Sequence, residues 1–100
     1  MKFGLDDSVI MRIQNILRKY PQIEKAVLYG SRAKGNYKNG SDIDLTLCGN
    51  GLDLNLMNKI SLELDDLLMP YMLDLSIYEN ISNEILIEHI KRVGKIFYSK

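Results

Sequence analysis

Apolar side chains recur at helical spacing in three segments of the chain, residues 6–20, 53–68 and 82–94. Each segment begins with an aspartate or a serine, whose side-chain oxygen can cap the first turn of a helix. Pro21 and Gly94 mark two of the ends, since proline cannot continue a helix and glycine commonly follows one. The pattern predicts three amphipathic helices. The predicted core-facing positions are Val9, Ile10, Ile13, Ile16, Leu17 and Tyr20, then Leu56, Met57, Ile60, Leu64, Leu67 and Leu68, then Ile85, Leu86, His89, Ile90 and Val93.

Short apolar runs typical of strands lie between these segments, at residues 25–29, 42–47, 72–78 and 95–98. Residues 31–34 can form a short helix, and the Asn- and Gly-rich residues 36–40 form a turn. Helices and strands therefore alternate along the chain. The order predicts an α+β fold, a mixed β-sheet with helices packed against it, in a single domain that spans residues 1–100.

Two aspartates lie one residue apart in the second predicted strand. Side chains at alternate positions leave a strand on the same face, so Asp42 and Asp44 point the same way while Ile43 and Leu45 point into a core. Two carboxylates held this close repel each other unless a cation lies between them. An all-oxygen pair suits Mg²⁺ or Mn²⁺ better than zinc.

Asp74 is an acidic residue in the third predicted strand, where Leu73, Leu75 and Ile77 share the opposite face. A carboxylate in a largely apolar strand is costly unless it finds a cation or hydrogen-bond donors. If this strand lies beside the Asp42–Leu47 strand, Asp74 becomes the third acid of the same site. The alternative is an exposed aspartate on an open sheet face.

A candidate phosphate site precedes the aspartates. Gly30 and Ser31 join the end of the first strand to the short helix, where glycine allows close backbone approach and the first amides lack partners. Arg32 and Lys34 add positive charge on the same turn. A phosphate site ten residues before a pair of metal-binding carboxylates indicates a nucleoside triphosphate with its metal.

The glycine spacing of Gly30 and Gly35 is also that of a P-loop. Asn36 and Tyr37 stand where that motif requires lysine and then serine or threonine, so a P-loop is excluded.

Composition narrows the class of protein further. Thirteen basic and thirteen acidic residues cancel, which argues against general nucleic-acid binding driven by phosphate neutralisation. Cys48 is the only cysteine, so no intrachain disulfide forms, and we interpret it as a small buried hydrophobe. The early aspartates Asp6 and Asp7 do not fit a signal peptide, and no apolar run has the length of a membrane span. We expect a cytoplasmic protein without membrane contact.

Gly30-Ser31, followed after ten residues by Asp42-Ile43-Asp44, resembles the motif of the DNA polymerase β-type nucleotidyltransferase superfamily. The spelling of residues 32–35 and 41–45 is similar to its smallest members, the minimal nucleotidyltransferases. Those proteins are commonly the antitoxin partners of all-helical HEPN-domain toxins. The resemblance implies a polymerase β palm-like core and a later aspartate, matched here by Asp74.

The resemblance also implies an activity and its site. Asp42, Asp44 and Asp74 would be catalytic and would bind Mg²⁺, two ions in all, with Mn²⁺ as a substitute. Gly30, Ser31, Arg32 and Ser41 would bind the phosphates, with Arg32 offsetting charge as pyrophosphate leaves. The expected reaction moves AMP from ATP to a tyrosine of the HEPN partner.

Two other functions remain open from the sequence. The protein could neutralise its partner by contact alone, with an idle site, or it could transfer the nucleotide to a small molecule. Apolar residues at the ends of the predicted elements, Leu52, Leu54, Met69 and Met72, are expected to be exposed. We therefore expect self-association and a complex with an all-helical partner. Nothing in the sequence reports the base preference.

Overall fold

The computed structural model describes all 100 residues and contains one four-stranded sheet. Its helices are α1 (Asp7–Arg18), α2 (Ser31–Lys34), α3 (Leu54–Asp65) and α4 (Glu84–Val93), and its strands are β1 (Lys25–Tyr29), β2 (Ile43–Cys48), β3 (Leu73–Ile77) and β4 (Lys95–Ser99). A single 3₁₀ turn, Tyr78–Asn80, follows β3. The strand order is β3-β2-β1-β4. The predicted α+β fold with a mixed sheet is confirmed.

Strand pairing follows from the connections. β1 pairs antiparallel with both β2 and β4, whereas β2 and β3 are parallel. Parallel neighbours need a crossover, and α3 supplies it between β2 and β3. This crossover brings the two acidic strands side by side, as the sequence required for a shared site.

One face of the sheet forms the core with α1 and α3. The alternation of the strands turns Leu28, Leu45 and Leu47 towards this face, and all three are completely buried. Ile13 and Leu17 of α1 and Ile60 and Leu64 of α3 join the same cluster. Burying apolar side chains of this size contributes about 1.5–3 kcal/mol each, so this layer dominates the stability of the fold.

The opposite face is covered only in part, by α4 over β1. Gly94 ends α4 as predicted, but with a φ of −59° rather than a left-handed conformation. A Cβ there would overlap the Ile90 carbonyl and lie 2.7 Å from Cγ1 of Val27. Glycine is therefore needed because the chain here lies close both to the last turn of α4 and to β1.

Three details of the predicted helices are wrong. Asn83, not Ser82, caps α4 by accepting hydrogen bonds from the amides of Ile85 and Leu86. Ile85 is 81% exposed instead of core-facing, because the partly covered face leaves nothing above it. α3 ends at Asp65, and Leu68 is 89% exposed with a left-handed φ of 52°, where the chain turns towards β3.

Polar contacts tie α1 to α3 at the edge of the core. The Tyr20 hydroxyl donates to a carboxylate oxygen of Glu63, and Lys19 Nζ lies 3.0 Å from the other oxygen. Burial and the bonded carboxylate raise the pKa of Tyr20 to about 12. The phenol therefore stays protonated and remains a donor throughout the neutral pH range.

Within this fold, none of the helices has the length and hydropathy that a membrane span requires.

Candidate active site

The sheet register places three side chains in a row on the partly covered face. Asp44 of β2 pairs with Tyr29 of β1 on one side and with Asp74 of β3 on the other. Residues paired directly across a sheet share a face. The expectation that Asp74 lies beside Asp44 is confirmed, and Asp44 is the centre of the row.

Asp42 lies just before β2 and is exposed, as is Asp74, whereas Asp44 is half-buried. Burial raises the pKa of Asp44 above its ordinary value of 3.8, and the neighbouring Asp74 and Asp42 carboxylates raise it further. The three acids therefore act on one another electrostatically. The three carboxylates are not gathered as closely as the ligands of a metal ion would be.

The surroundings of Asp44 fit a hard divalent cation. Its donors are carboxylate oxygens, the ligands that Mg²⁺ prefers. Burial and, after it, the nearby Asp74 and Asp42 carboxylates make the ionised form of Asp44 costly, and a bound cation would offset that cost. Asp42, Asp44 and Asp74 are the residues that could hold it.

The backbone of Gly30 lies against the side chain of Asp44. Its φ of 75° and ψ of −157° fall in a region that only glycine occupies readily. A Cβ at this position would overlap Oδ2 of Asp44, so the carboxylate rests directly against the glycine backbone. Ser31 follows at the first position of α2 and is half-buried. Gly30 thus adjoins the central carboxylate, and Ser31 follows it in the chain.

The position of Arg32 in the structure does not match the phosphate-binding role predicted from the sequence. It is only 2% exposed, and its guanidinium donates to the carbonyl oxygens of Ser41 (3.0 and 2.8 Å) and Phe3 (2.9 Å). The rings of Tyr37 and Tyr71 lie 5.4 and 4.9 Å from its Cζ. Direct contact of Arg32 with pyrophosphate does not fit this burial, and the side chain instead fixes the loop that leads to Asp42.

Ser41 belongs to the same loop. Its hydroxyl oxygen accepts a hydrogen bond from the Lys38 amide at 2.8 Å, and its amide donates to the Lys38 carbonyl at 3.0 Å. Its carbonyl accepts from Arg32. The structure thus uses Ser41 to close the turn before Asp42. Lys34, the other basic residue of the predicted phosphate site, is exposed.

Arg32→Lys should lower the free energy of unfolding by about 1–3 kcal/mol, because one ammonium group cannot replace three guanidinium hydrogen bonds to two separate carbonyls. Chemical denaturation measures the change. Lys34→Gln, at an exposed site on the same helix, is the matched control and should stay within about 0.5 kcal/mol of wild type. Equal stability of the two variants would contradict the structural role of Arg32.

Two residues at the site were not predicted from the sequence. Tyr29 lies beside Asp44, and burial together with the Asp74 and Asp44 carboxylates raises the pKa of its phenol, although the nearby Ser76 hydroxyl opposes the shift. His89, interpreted from the sequence as a structural residue of α4, accepts a hydrogen bond from the Gly30 amide at its Nε2, 3.1 Å away. Its ring meets that of Tyr29 edge-on, with centroids 6.2 Å apart.

A second row of polar side chains lies behind the acids. Thr46 and Ser76 pair with each other two residues further along β2 and β3 than Asp44 and Asp74, and so on the same face. Thr46 is completely buried, and the hydroxyl oxygens of both residues have no hydrogen-bond partner of good geometry. Unpaired buried hydroxyls cost about 1–3 kcal/mol each. Their presence on this face continues the polar strip that begins at the carboxylates.

Comparison with known proteins agrees with this geometry. The family model described as "Polymerase beta, Nucleotidyltransferase" matches residues 11–100. Among curated proteins, no significant match to the sequence was found.

Solved structures share the fold. A crystal structure of a toxin–antitoxin with AMP-PNP superposes with a TM-score of 0.74 at 22% identity, covering 91% of this chain and 73% of that chain. The tri-AMPylated Shewanella oneidensis HEPN toxin in complex with MNT antitoxin gives 0.71 at 19% identity, covering 96% and 74%. The toxin–antitoxin MntA–HepT gives 0.70 at 20% identity, covering 95% and 74%.

Proposed function

Because this chain belongs to the polymerase beta nucleotidyltransferase family, we propose that it transfers AMP from ATP to a hydroxyl group of a partner protein. Nucleotidyl transfer is the activity of the family. The nucleotide, the acceptor and the residues that act on them are our proposal.

The observation that carries the proposal is the register around Asp44. Asp74 lies directly beside it in the parallel pair, and Gly30 lies against its carboxylate. Ten residues separate Ser31 from Asp42 in the sequence, and the fold brings Gly30 against Asp44. If the β- and γ-phosphates of a triphosphate lie next to Gly30 and Ser31, its α-phosphate would lie near the three carboxylates.

In this reaction the acceptor hydroxyl oxygen forms a bond to the α-phosphorus, and the bond to the β-phosphate oxygen breaks to release pyrophosphate. Asp74, the exposed member of the row, accepts the proton of the hydroxyl. Asp42 and Asp44 would hold Mg²⁺ together with Asp74. When bound, Mg²⁺ supplies neutralisation of the phosphate charge and activation of the hydroxyl. Arg32 and Ser41 keep the loop before Asp42 in place.

Ser31→Ala should weaken ATP binding by about tenfold, the effect of losing one hydrogen bond to a charged phosphate. Calorimetry with Mg²⁺ and ATP measures the affinity, and Ser99→Ala, at an exposed position at the end of β4, is the matched control. Ser31→Ala with the affinity of wild type would place the phosphates elsewhere.

We propose that the acceptor is a tyrosine of an all-helical HEPN-type partner. Support comes from the similar fold of the antitoxin bound to a tri-AMPylated HEPN toxin. Exposed apolar residues also favour a protein contact, with Leu54 62% and Met72 71% exposed. Leu52 and Met69, expected to be exposed with them, pack partly against the core instead.

Label transfer tests the proposal. The protein is mixed with its partner, Mg²⁺ and ATP labelled at either the α- or the γ-phosphate. We expect the α-label alone to enter the partner, because AMP is transferred and pyrophosphate leaves. Entry of the γ-label would indicate a kinase instead. A stable complex without any label in the partner would favour neutralisation by contact alone.

A further inference from the structure

His89 is the only histidine of the chain and lies across the sheet from the core, on the helix that covers β1. Its Nε2 accepts the Gly30 amide at 3.1 Å, while the Gly30 carbonyl accepts the Lys34 amide at 3.1 Å. Both polar groups of Gly30 are thus engaged. The first contact comes from a residue 59 positions away in the sequence.

This contact determines the form of the imidazole. A ring nitrogen that accepts a hydrogen bond carries no proton, so a neutral His89 has its proton on Nδ1. The ring is further held edge-on against Tyr29. α4 itself is fixed on β1 by buried Ile90 and by the close approach at Gly94. The acceptor is therefore presented by a rigid element.

We propose that His89 is a positioning residue that holds the Gly30 peptide in the orientation that the triphosphate requires, an inference that rests on the proposed function. Gly30 has no side chain to restrict its backbone, and its φ of 75° is one of several conformations open to glycine. The hydrogen bond from α4 selects one of them. That conformation sets the position of Ser31 and keeps the backbone against the Asp44 carboxylate.

Two substitutions separate the hydrogen bond from the packing. His89→Phe keeps an aromatic ring against Tyr29 but removes the acceptor, whereas His89→Gln offers an amide oxygen at a reach similar to that of Nε2. Glu88→Gln is the matched control, since Glu88 is exposed and only approaches Arg92 on the same helix.

The first measurement uses nucleotide-free protein. We expect hydrogen exchange of the Gly30 amide to be about tenfold faster in His89→Phe than in wild type, and largely restored in His89→Gln. Glu88→Gln should exchange at the wild-type rate. Unchanged exchange in His89→Phe would overturn the proposal at its first step.

The second measurement compares two ligands by titration. His89→Phe should bind ATP with Mg²⁺ about tenfold more weakly. Its affinity for Mn²⁺ alone should fall much less, because His89 contacts Gly30 and Tyr29 and none of the three carboxylates. A general loss of structure would weaken both ligands. His89→Gln should recover most of the ATP affinity.

The outcomes distinguish nucleotidyl transfer from the positioning role of His89. Wild-type protein without ATP affinity would overturn the proposed function, and with it any role of His89 in triphosphate binding. Wild-type ATP affinity that persists in His89→Phe, despite faster exchange of Gly30, would overturn the positioning role alone. Failure of His89→Gln to restore both readouts would also contradict it.

Discussion

Asp44→Asn is expected to reduce nucleotide transfer by roughly a thousandfold, since the change forfeits several kcal/mol of transition-state stabilisation. Asp44 is the central member of the row, with Asp74 directly beside it and Gly30 against its carboxylate. The amide of asparagine keeps the shape of the side chain but removes its charge. Label transfer to the partner measures the loss.

The same substitution should stabilise the metal-free protein near neutral pH. The folded-state pKa of Asp44 is raised by burial and by Asp74 and Asp42, so the folded state holds this proton more tightly than the unfolded state. The stability that this contributes is present at low pH and is lost as pH rises through the raised pKa. Asparagine cannot ionise, so the variant should show a flatter melting temperature from about pH 4 to about pH 7.

Asp66→Asn is the matched control, because Asp66 is exposed at the end of α3 and lies outside the sheet that carries the acidic row. It should retain wild-type transfer and wild-type pH dependence. Near-normal transfer by Asp44→Asn would show that Asp44 is not needed for nucleotide transfer. If the melting temperature of Asp44→Asn fell in parallel with that of wild type as pH rises, ionisation of Asp44 would not be what destabilises the metal-free protein.

Gly30→Ala is expected to have the second-largest effect, a loss of about 3 kcal/mol or more in the free energy of unfolding together with most of the ATP affinity. The backbone conformation alone costs an alanine about 1–3 kcal/mol. The added Cβ must also displace the Asp44 carboxylate that it would overlap. Denaturation and calorimetry measure the two losses separately.

Gly35→Ala isolates the two contributions. Gly35 ends α2 with a left-handed φ of 88°, but a Cβ there meets nothing within 4 Å. It should therefore cost only about 1–2 kcal/mol, the price of the left-handed backbone, with little change in ATP affinity. Equal losses in the two variants would show that contact between Gly30 and Asp44 is unimportant.

Local patterns were sufficient to predict the strands and the acids. The alternation in β2 and β3 identified which face carries Asp44 and Asp74. Their pairing was one of two alternatives in the sequence, and the parallel register of the fold decides it. The end of α3 was not predictable in this way. Leu67 and Leu68 continue the helical pattern, yet the chain must leave the helix axis to reach β3, and Leu68 takes up a left-handed conformation to do so.

Arg32 and His89 show what periodicity cannot supply. The partners of Arg32 are backbone carbonyls of Phe3 and Ser41, which no side-chain pattern reports. The contact of His89 depends on how α4 crosses β1 and on the unusual backbone of Gly30. Both residues were assessed by type and neighbourhood in the sequence. In the fold, Arg32 is buried and bonded to backbone carbonyls, and His89 contacts the glycine turn.

The most direct test of the central claim is the intact mass of the partner protein after co-expression with this chain. We expect the mass of the partner to increase by one or more adenylyl groups with wild type, and to stay unmodified with Asp44→Asn, while Asp66→Asn behaves as wild type. A partner that remains unmodified with wild type, although the complex forms, would contradict adenylyl transfer by the Asp42, Asp44 and Asp74 site.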